Sequence, residues 1–151
     1  MQKCTLALGC FWKPEENFKN KPGILETEVG YAGGHSEQTT YEEVCTGSTG
    51  HAEVVRLTFD ENIISFKKIL DLFFKMHDPT QKDMQFPDIG TQYRSEIFYE
   101  TEEQKKDALE ILNEYNKKFY KDGNLQPEKS LFLTLKFIPF AEFRQAAEIN
   151  Q

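Results

Sequence analysis

Positive charge is scarce in this chain: 18 Lys and Arg stand against 25 Asp and Glu, a formal net charge of -7. An extended nucleic-acid footprint or a surface for anionic lipid needs a basic face, so neither partner is expected. No apolar run approaches the roughly 20 residues that span a bilayer. The opening "MQKCTLALGCFW" lacks the basic region, long apolar stretch and small-residue cleavage site of a secretory signal, so a cytoplasmic protein is expected. Cysteine is scarce too. Three of them, an odd number with no paired spacing, argue against a disulfide scaffold and suit a reducing compartment. CxxC and HExxH are absent, and His35, His51 and His77 show no ligand spacing, so no metal site is expected. The glycines of "YAGGH" do not form GxGxxG, which leaves nucleotide binding without support. With no repeat, low-complexity stretch or linker, residues 1–151 read as a single domain.

What the chain does have is aromatic bulk. Thirteen Phe among 38% hydrophobic residues are enough for a core even at a mean hydropathy of -0.62. "KCTLAL" reads as a buried strand ending at Gly9, and "CFWKPEENFKN" changes to a helical mixture with Pro14 tolerable in a first turn. "ILETEVGYA" alternates, with Leu25, Thr27, Val29 and Tyr31 on one face, and "AEVVRLTFD" puts Glu53, Val55, Leu57 and Phe59 on one face of a further strand. "SFKKILDLFFKM" is an amphipathic helix behind a Ser65 cap, and "RSEIFYE" is a strand. "TEEQKKDALEILNEYNKKFYKDGN" is a long helix, capped by Thr101 and Gln104, burying Ala108, Ile111, Leu112, Tyr115 and Phe119 and stopping at Gly123. A strand in "LFLTLKFI" precedes a short helical tail from Phe140. This order fits an α+β fold, a ferredoxin-like two-layer sandwich with extensions on an antiparallel or mixed sheet. Between Asp78 and Thr91 runs a polar, proline-bearing functional-loop candidate.

Cys10 follows a glycine at a strand-to-helix turn, where free amides and the helix dipole favour a thiolate with a lowered pKa. Cysteines are also commonly inert small hydrophobes, and both readings stand for Cys10. Phe11 and Trp12 are either core or an apolar wall for a methyl-sized group. Glu53 shares a face with Val55, Leu57 and Phe59. Either it is buried, with a raised pKa and a proton to donate near neutral pH, or it is an edge glutamate in solvent. Tyr31 and Tyr93, the latter in "GTQYRS", are hydroxyl-bearing residues that core packing alone would also explain.

Together "GCFW", "GYAGG", "TGHAEVV", "DPT" and "DIGTQYRS", in that order, resemble the A-type peptide methionine sulfoxide reductases. The resemblance implies reduction of the S-epimer of methionine sulfoxide, free or in proteins, as a repair of oxidative damage. By the same resemblance Cys10 attacks the sulfoxide sulfur, while Glu53, with the hydroxyls of Tyr31 and Tyr93, protonates its oxygen. Phe11 and Trp12 hold the methyl group, and Asp88 binds the substrate's main-chain amide. Cys10 is left as a sulfenic acid, and no metal or organic cofactor is implied.

The sequence departs from the family in two places. Family members often carry resolving cysteines near the C-terminus, but here no cysteine follows Cys45, which is expected to be structural. Cys4, six residues before Cys10 on an extended strand, lies about 20 Å away and is expected to be packed. The implied reductant is external, thioredoxin or glutaredoxin with glutathione, acting on a monomer. "DMQFPD" replaces the usual asparagine and glycine-bearing loop, although Asp88 stays in register. Two rival readings are a thiol peroxidase, whose expected threonine and arginine are missing from "LGCFWKP", and a binding module with Cys10 in its core.

Overall fold

A computed structural model describes residues 1–10, 12–33, 50–78, 81, 83–85, 87–117, 120–121, 124–125, 133–137 and 144–145. Strand β1 (Gln2–Leu8) leads to helix α1 (Trp12–Lys19), then β2 (Ile24–Ala32) and β3 (Ala52–Phe59). Helix α2 (Phe66–Met76) is followed by a hairpin, β4 (Met84–Gln85) and β5 (Asp88–Ile89), a 3₁₀ turn at Thr91–Tyr93, and β6 (Ser95–Tyr99). Helix α3 (Glu102–Lys117), β7 (Tyr120–Lys121), β8 (Asn124–Leu125), β9 (Leu133–Phe137) and β10 (Arg144–Gln145) complete the order.

The main sheet runs β10-β2-β3-β1-β6-β9. Neighbours are antiparallel except β6 and β9, which pair in parallel and make the sheet mixed. Its inner four strands are the expected split βαβ pairs: β1 and β2 both run against β3, which lies between them. All eight residues of β3 are buried, so the sheet is covered on both faces. On one face Cys4, Leu6, Val55, Leu57, Phe59 and Ile97 meet Phe18 of α1 and Ile69, Leu70 and Phe73 of α2. The opposite face carries a smaller cluster of Ala7, Ala32, Ala52, Val54 and Phe98. Cys4 is wholly buried and burial pushes its thiol well up, which suits the packed role expected of it.

Both caps work as their sequences suggest. Ser65 Oγ accepts from the Lys68 amide at 3.1 Å, and Thr101 Oγ1 accepts from the Gln104 amide at 3.1 Å. Gln104 Oε1 accepts from the Glu100 amide at 2.9 Å while its Nε2 donates to the Lys3 carbonyl at 2.8 Å, so one buried side chain also fastens α3 to β1. On α3, Ala108 and Ile111 are buried and Leu112 and Tyr115 lie against the core.

Three local expectations need correction. Leu25 does not join the Thr27, Val29 and Tyr31 face, because a β-bulge between Ile24 and Glu26 absorbs it and leaves it exposed. The long helix does not reach Gly123: it ends at Lys117, and Tyr120–Lys121 pairs antiparallel with Asn124–Leu125, with an Asp-Gly pair between, a strong hairpin signal. Where a helical tail was expected after Phe140, Arg144–Gln145 instead adds a strand to β2. Phe11, His35, Cys45, Phe119 and Phe140 lie outside the described residues.

Candidate active site

Gly9 closes β1 with φ +95°, a left-handed angle that favours glycine. A Cβ there would stand 2.8 Å from Gln85 Cγ and 2.9 Å from Gln85 Cβ. The β4–β5 hairpin therefore rests directly against the residue before Cys10. Gln85 Oε1 accepts from the Asp78 amide at 3.0 Å and its Nε2 donates to the Asp78 carbonyl, which anchors the hairpin at its root. Asp83 opens it in the left-handed region, φ +51°, which aspartate tolerates, and its carbonyl accepts from the Gly90 amide at 2.9 Å. Asp88, half-buried, is in register with Gln85.

Cys10 is half-buried and its sulfur accepts a hydrogen bond from the backbone N–H of Trp12, the first residue of α1. The thiol thus sits at a helix start, as the sequence suggests, but its expected lowered pKa is corrected. Burial pushes the thiol up, the Trp12 amide opposes this, and the carboxylates of Glu53 and Asp88 raise it further. One amide at the start of an eight-residue helix does not outweigh desolvation beside two acids.

Glu53 is 2% exposed, which rules out the edge glutamate in solvent. In the β2–β3 ladder it stands directly opposite Tyr31, itself fully buried, on the side where β3 continues with Val55, Leu57 and Phe59. Cross-strand partners of this kind have neighbouring side chains. Leu6 faces Val55, so two residues on, Leu8 comes beside Glu53, and the chain leaves the sheet toward Cys10 just past that row. Tyr93 is half-buried at the end of a 3₁₀ turn packed against β3 and β4, with its amide donating to the Gly90 carbonyl at 3.0 Å. Trp12 is 60% exposed, so it is not core but an aromatic surface two residues along the chain from the thiol. Phe11 cannot be placed beside it, since it lies outside the described residues.

The structure therefore draws Cys10, Glu53, Tyr31 and Asp88 to one end of the sheet, with the Tyr93 turn beside β3. Three supporting residues were not singled out by the sequence reading. Gln85 is signalled only indirectly, through a glycine before the cysteine. Arg94 Nε donates to Glu96 Oε1 at 2.9 Å and its Nη2 to the Gly50 carbonyl at 2.8 Å. His77 Nδ1–H donates to the Phe73 carbonyl at 2.7 Å, so Nε2 accepts from Ser95 Oγ at 2.9 Å. Burial pushes its imidazole down to about 4. A thiol at a helix start beside a buried carboxyl group is equipped to attack an electrophile whose departing oxygen needs a proton. Among the described residues no helix is long and apolar enough to cross a membrane.

Comparisons with known proteins bear on what that electrophile is. Residues 2–148 match the family model described as peptide methionine sulfoxide reductase. A Pelagibacter ubique protein, peptide methionine sulfoxide reductase MsrA, is 49% identical over 145 residues, covering 96% of this chain and 96% of its own length. Among solved structures, methionine sulfoxide reductase A of Corynebacterium diphtheriae superposes with a TM-score of 0.84 at 33% identity, covering 95% of this chain and 69% of that one. Mxr1 from Saccharomyces cerevisiae, in complex with Trx2, superposes with a TM-score of 0.66 at 25% identity, covering 97% and 81%. With a family match over nearly its whole length and the Cys10 and Glu53 ends of β1 and β3 brought together, this chain belongs to the peptide methionine sulfoxide reductases of the A type, oxidoreductases that act on methionine sulfoxide.

Proposed function

We propose that the chain, acting as one catalytic domain and as a monomer, reduces the S-epimer of methionine sulfoxide, free or in oxidised proteins, through a sulfenic acid on Cys10. The observation that carries this reading is the buried Glu53, facing Tyr31 across the ladder and close enough to Cys10 for its charge to bear on the thiol. Cys10 as thiolate attacks the sulfoxide sulfur while Glu53, assisted by the hydroxyls of Tyr31 and Tyr93, protonates the oxygen as its bond to sulfur breaks. Attack joins Cys10 Sγ to the substrate sulfur as the protonated oxygen leaves as water. A water oxygen then bonds Cys10 Sγ and methionine departs with the S–S electron pair. The substrate sulfur thus gains two electrons, the cysteine sulfur loses two, and Cys10 is left as S–OH. Phe11 and Trp12 form the apolar surface for the methyl group, and Asp88, on a hairpin pinned to Gly9, takes the main-chain amide.

Recycling in this reading uses an external thiol, with Cys4 buried in β1 and Cys45 taken as structural. One thiol displaces the sulfenic oxygen as water and forms a mixed disulfide; a second thiol releases Cys10. Thioredoxin is favoured over glutaredoxin with glutathione by the complex that the yeast relative Mxr1 makes with Trx2, and either suits a cytoplasmic, reducing setting. The test is methionine formed per enzyme from the S-sulfoxide without reductant. One equivalent from wild type, none from the R-epimer and none from Cys10→Ser is expected. No methionine from wild type refutes the reading.

A further inference from the structure

The acid and hydroxyl groups of this reaction come from three separate stretches: Tyr31 near the end of β2, Glu53 near the start of β3, and Tyr93 in the turn before β6. Pairing between β2 and β3 stops at Ala32 and Ala52, only one residue beyond the Tyr31 and Glu53 pair. Ladder ends open at little cost, so an acid placed there needs an outside tie to hold its aim.

Arg94 is that tie by position. Its Nη2 donates to the carbonyl of Gly50, three residues before Glu53, at 2.8 Å. A Cβ on Gly33, two residues after Tyr31, would stand 3.1 Å from the same nitrogen. Gly33 has φ +81° and Gly50 φ +70°, so both ends of the connection between β2 and β3 turn sharply where the guanidinium meets them. On its other edge Nε donates to Glu96 Oε1, in β6, at 2.9 Å. Arg94 itself follows Tyr93 directly. Phe98, two residues beyond Glu96 on the same strand face, belongs to the small cluster away from α1 and α2. The guanidinium therefore works behind the site and not on the substrate.

We propose that Arg94 is a positioning residue, joining the Gly33 and Gly50 ends of the β2–β3 ladder to the Tyr93 turn so that Glu53, Tyr31 and Tyr93 share one fixed aim at the sulfoxide oxygen. A planar fork donating in two directions does this; a lysine ammonium, a point charge on a flexible stem, does not. The inference rests on the proposed reduction, and the experiment separates the two.

Single-turnover methionine formation from S-methionine sulfoxide, without reductant, is followed in wild type, Arg94→Ala, Arg94→Lys, Glu53→Gln and the Arg94→Ala/Glu53→Gln double variant. Arg94→Ala should slow the rate constant by about 10–100-fold, the scale on which ångström misplacement of a reacting group acts. The amplitude should stay at one methionine, with the half-saturating sulfoxide concentration little changed. Because Arg94 acts through Glu53 together with the two tyrosines, the defect of the double variant should fall well short of the product of the two single defects. Arg94→Lys, which keeps the charge, should be slowed as well and serves if the alanine variant does not fold. Wild-type rates in both Arg94 variants, or defects that multiply in full with Glu53→Gln, overturn the Arg94 role while leaving the reduction standing. A wild type that forms no methionine overturns both.

Discussion

Gly9 carries no functional group, yet the backbone and the hairpin beside it leave no room there for a side chain. Replacing it with alanine forces a side chain onto φ +95°, a left-handed conformation that costs about 1–2 kcal/mol for an L-residue. The new Cβ would meet Gln85 at 2.8 and 2.9 Å, which is 0.5–0.6 Å short of the 3.4 Å where ordinary contact begins. Gln85 cannot yield at its tip alone, since the nearer atoms are its Cβ and Cγ, so the hairpin must move. That movement threatens the two hydrogen bonds between Gln85 and Asp78, each worth about 1 kcal/mol. With both bonds lost the sum is about 3–4 kcal/mol, read by urea titration. Because Asp88 is in register with Gln85, the half-saturating concentration of a sulfoxide peptide should rise in the same variant. Gln85→Gly removes both clashing atoms, and in that background Gly9→Ala should cost only the backbone part, about 1–2 kcal/mol. A Gly9→Ala protein within about 0.5 kcal/mol of wild type, or one whose loss Gln85→Gly does not relieve, refutes the reasoning.

Glu53→Gln should move two reactions of Cys10 in opposite directions. It removes a negative charge that raises the thiol, so alkylation by iodoacetamide near pH 8 should quicken, while sulfoxide reduction slows by about 10²–10⁴-fold for want of the acid; parallel changes in both would refute the assigned role. His77 is held neutral by burial, down to about 4 from an ordinary 6.5, so the unfolded chain binds more protons between those values. Stability should therefore fall as pH drops from about 6.5 toward 4, by up to about 3 kcal/mol in acid, and His77→Gln should flatten that stretch of the curve in urea titrations at stepped pH; an unchanged slope would remove His77 as the cause.

The strands nearest the site were legible because their signals are local. Alternation in "AEVVRLTFD" puts Glu53 with Val55 and Leu57, and that is the face it occupies. Alternation could not show whether Glu53 is covered, since at a strand end that depends on segments distant in sequence, such as the Thr91–Tyr93 turn packed against β3. The bulge that displaces Leu25 was invisible for a related reason: one extra residue changes register without changing composition. Arg94 was missed because the acceptor that ties it to the start of β3 is a backbone carbonyl 44 residues away, and a carbonyl leaves no trace in the sequence. The pKa of Cys10 was misjudged because a helix start is a local feature, whereas desolvation and the approach of Glu53 and Asp88 are tertiary.

That correction bears on which oxidant the site selects. A lowered thiol pKa would keep Cys10 as thiolate at rest, open to any hydroperoxide that reached it. A raised one, as burial gives it here, leaves less thiolate for a hydroperoxide to meet, which weighs against the peroxidase reading. The reactive state need not import a proton from solvent. Thiol with carboxylate and thiolate with carboxylic acid hold the same number of protons, so in the proposed reduction one proton passed from Cys10 to Glu53 would create nucleophile and acid together. A sulfoxide oxygen, polar and basic, favours the second arrangement by accepting a hydrogen bond from the acid; a methyl or an empty site does not. Burial, the larger cause of the raised thiol, persists, but the Glu53 repulsion that adds to it is relieved once Glu53 carries the proton, so in the proposed reduction substrate binding favours the thiolate.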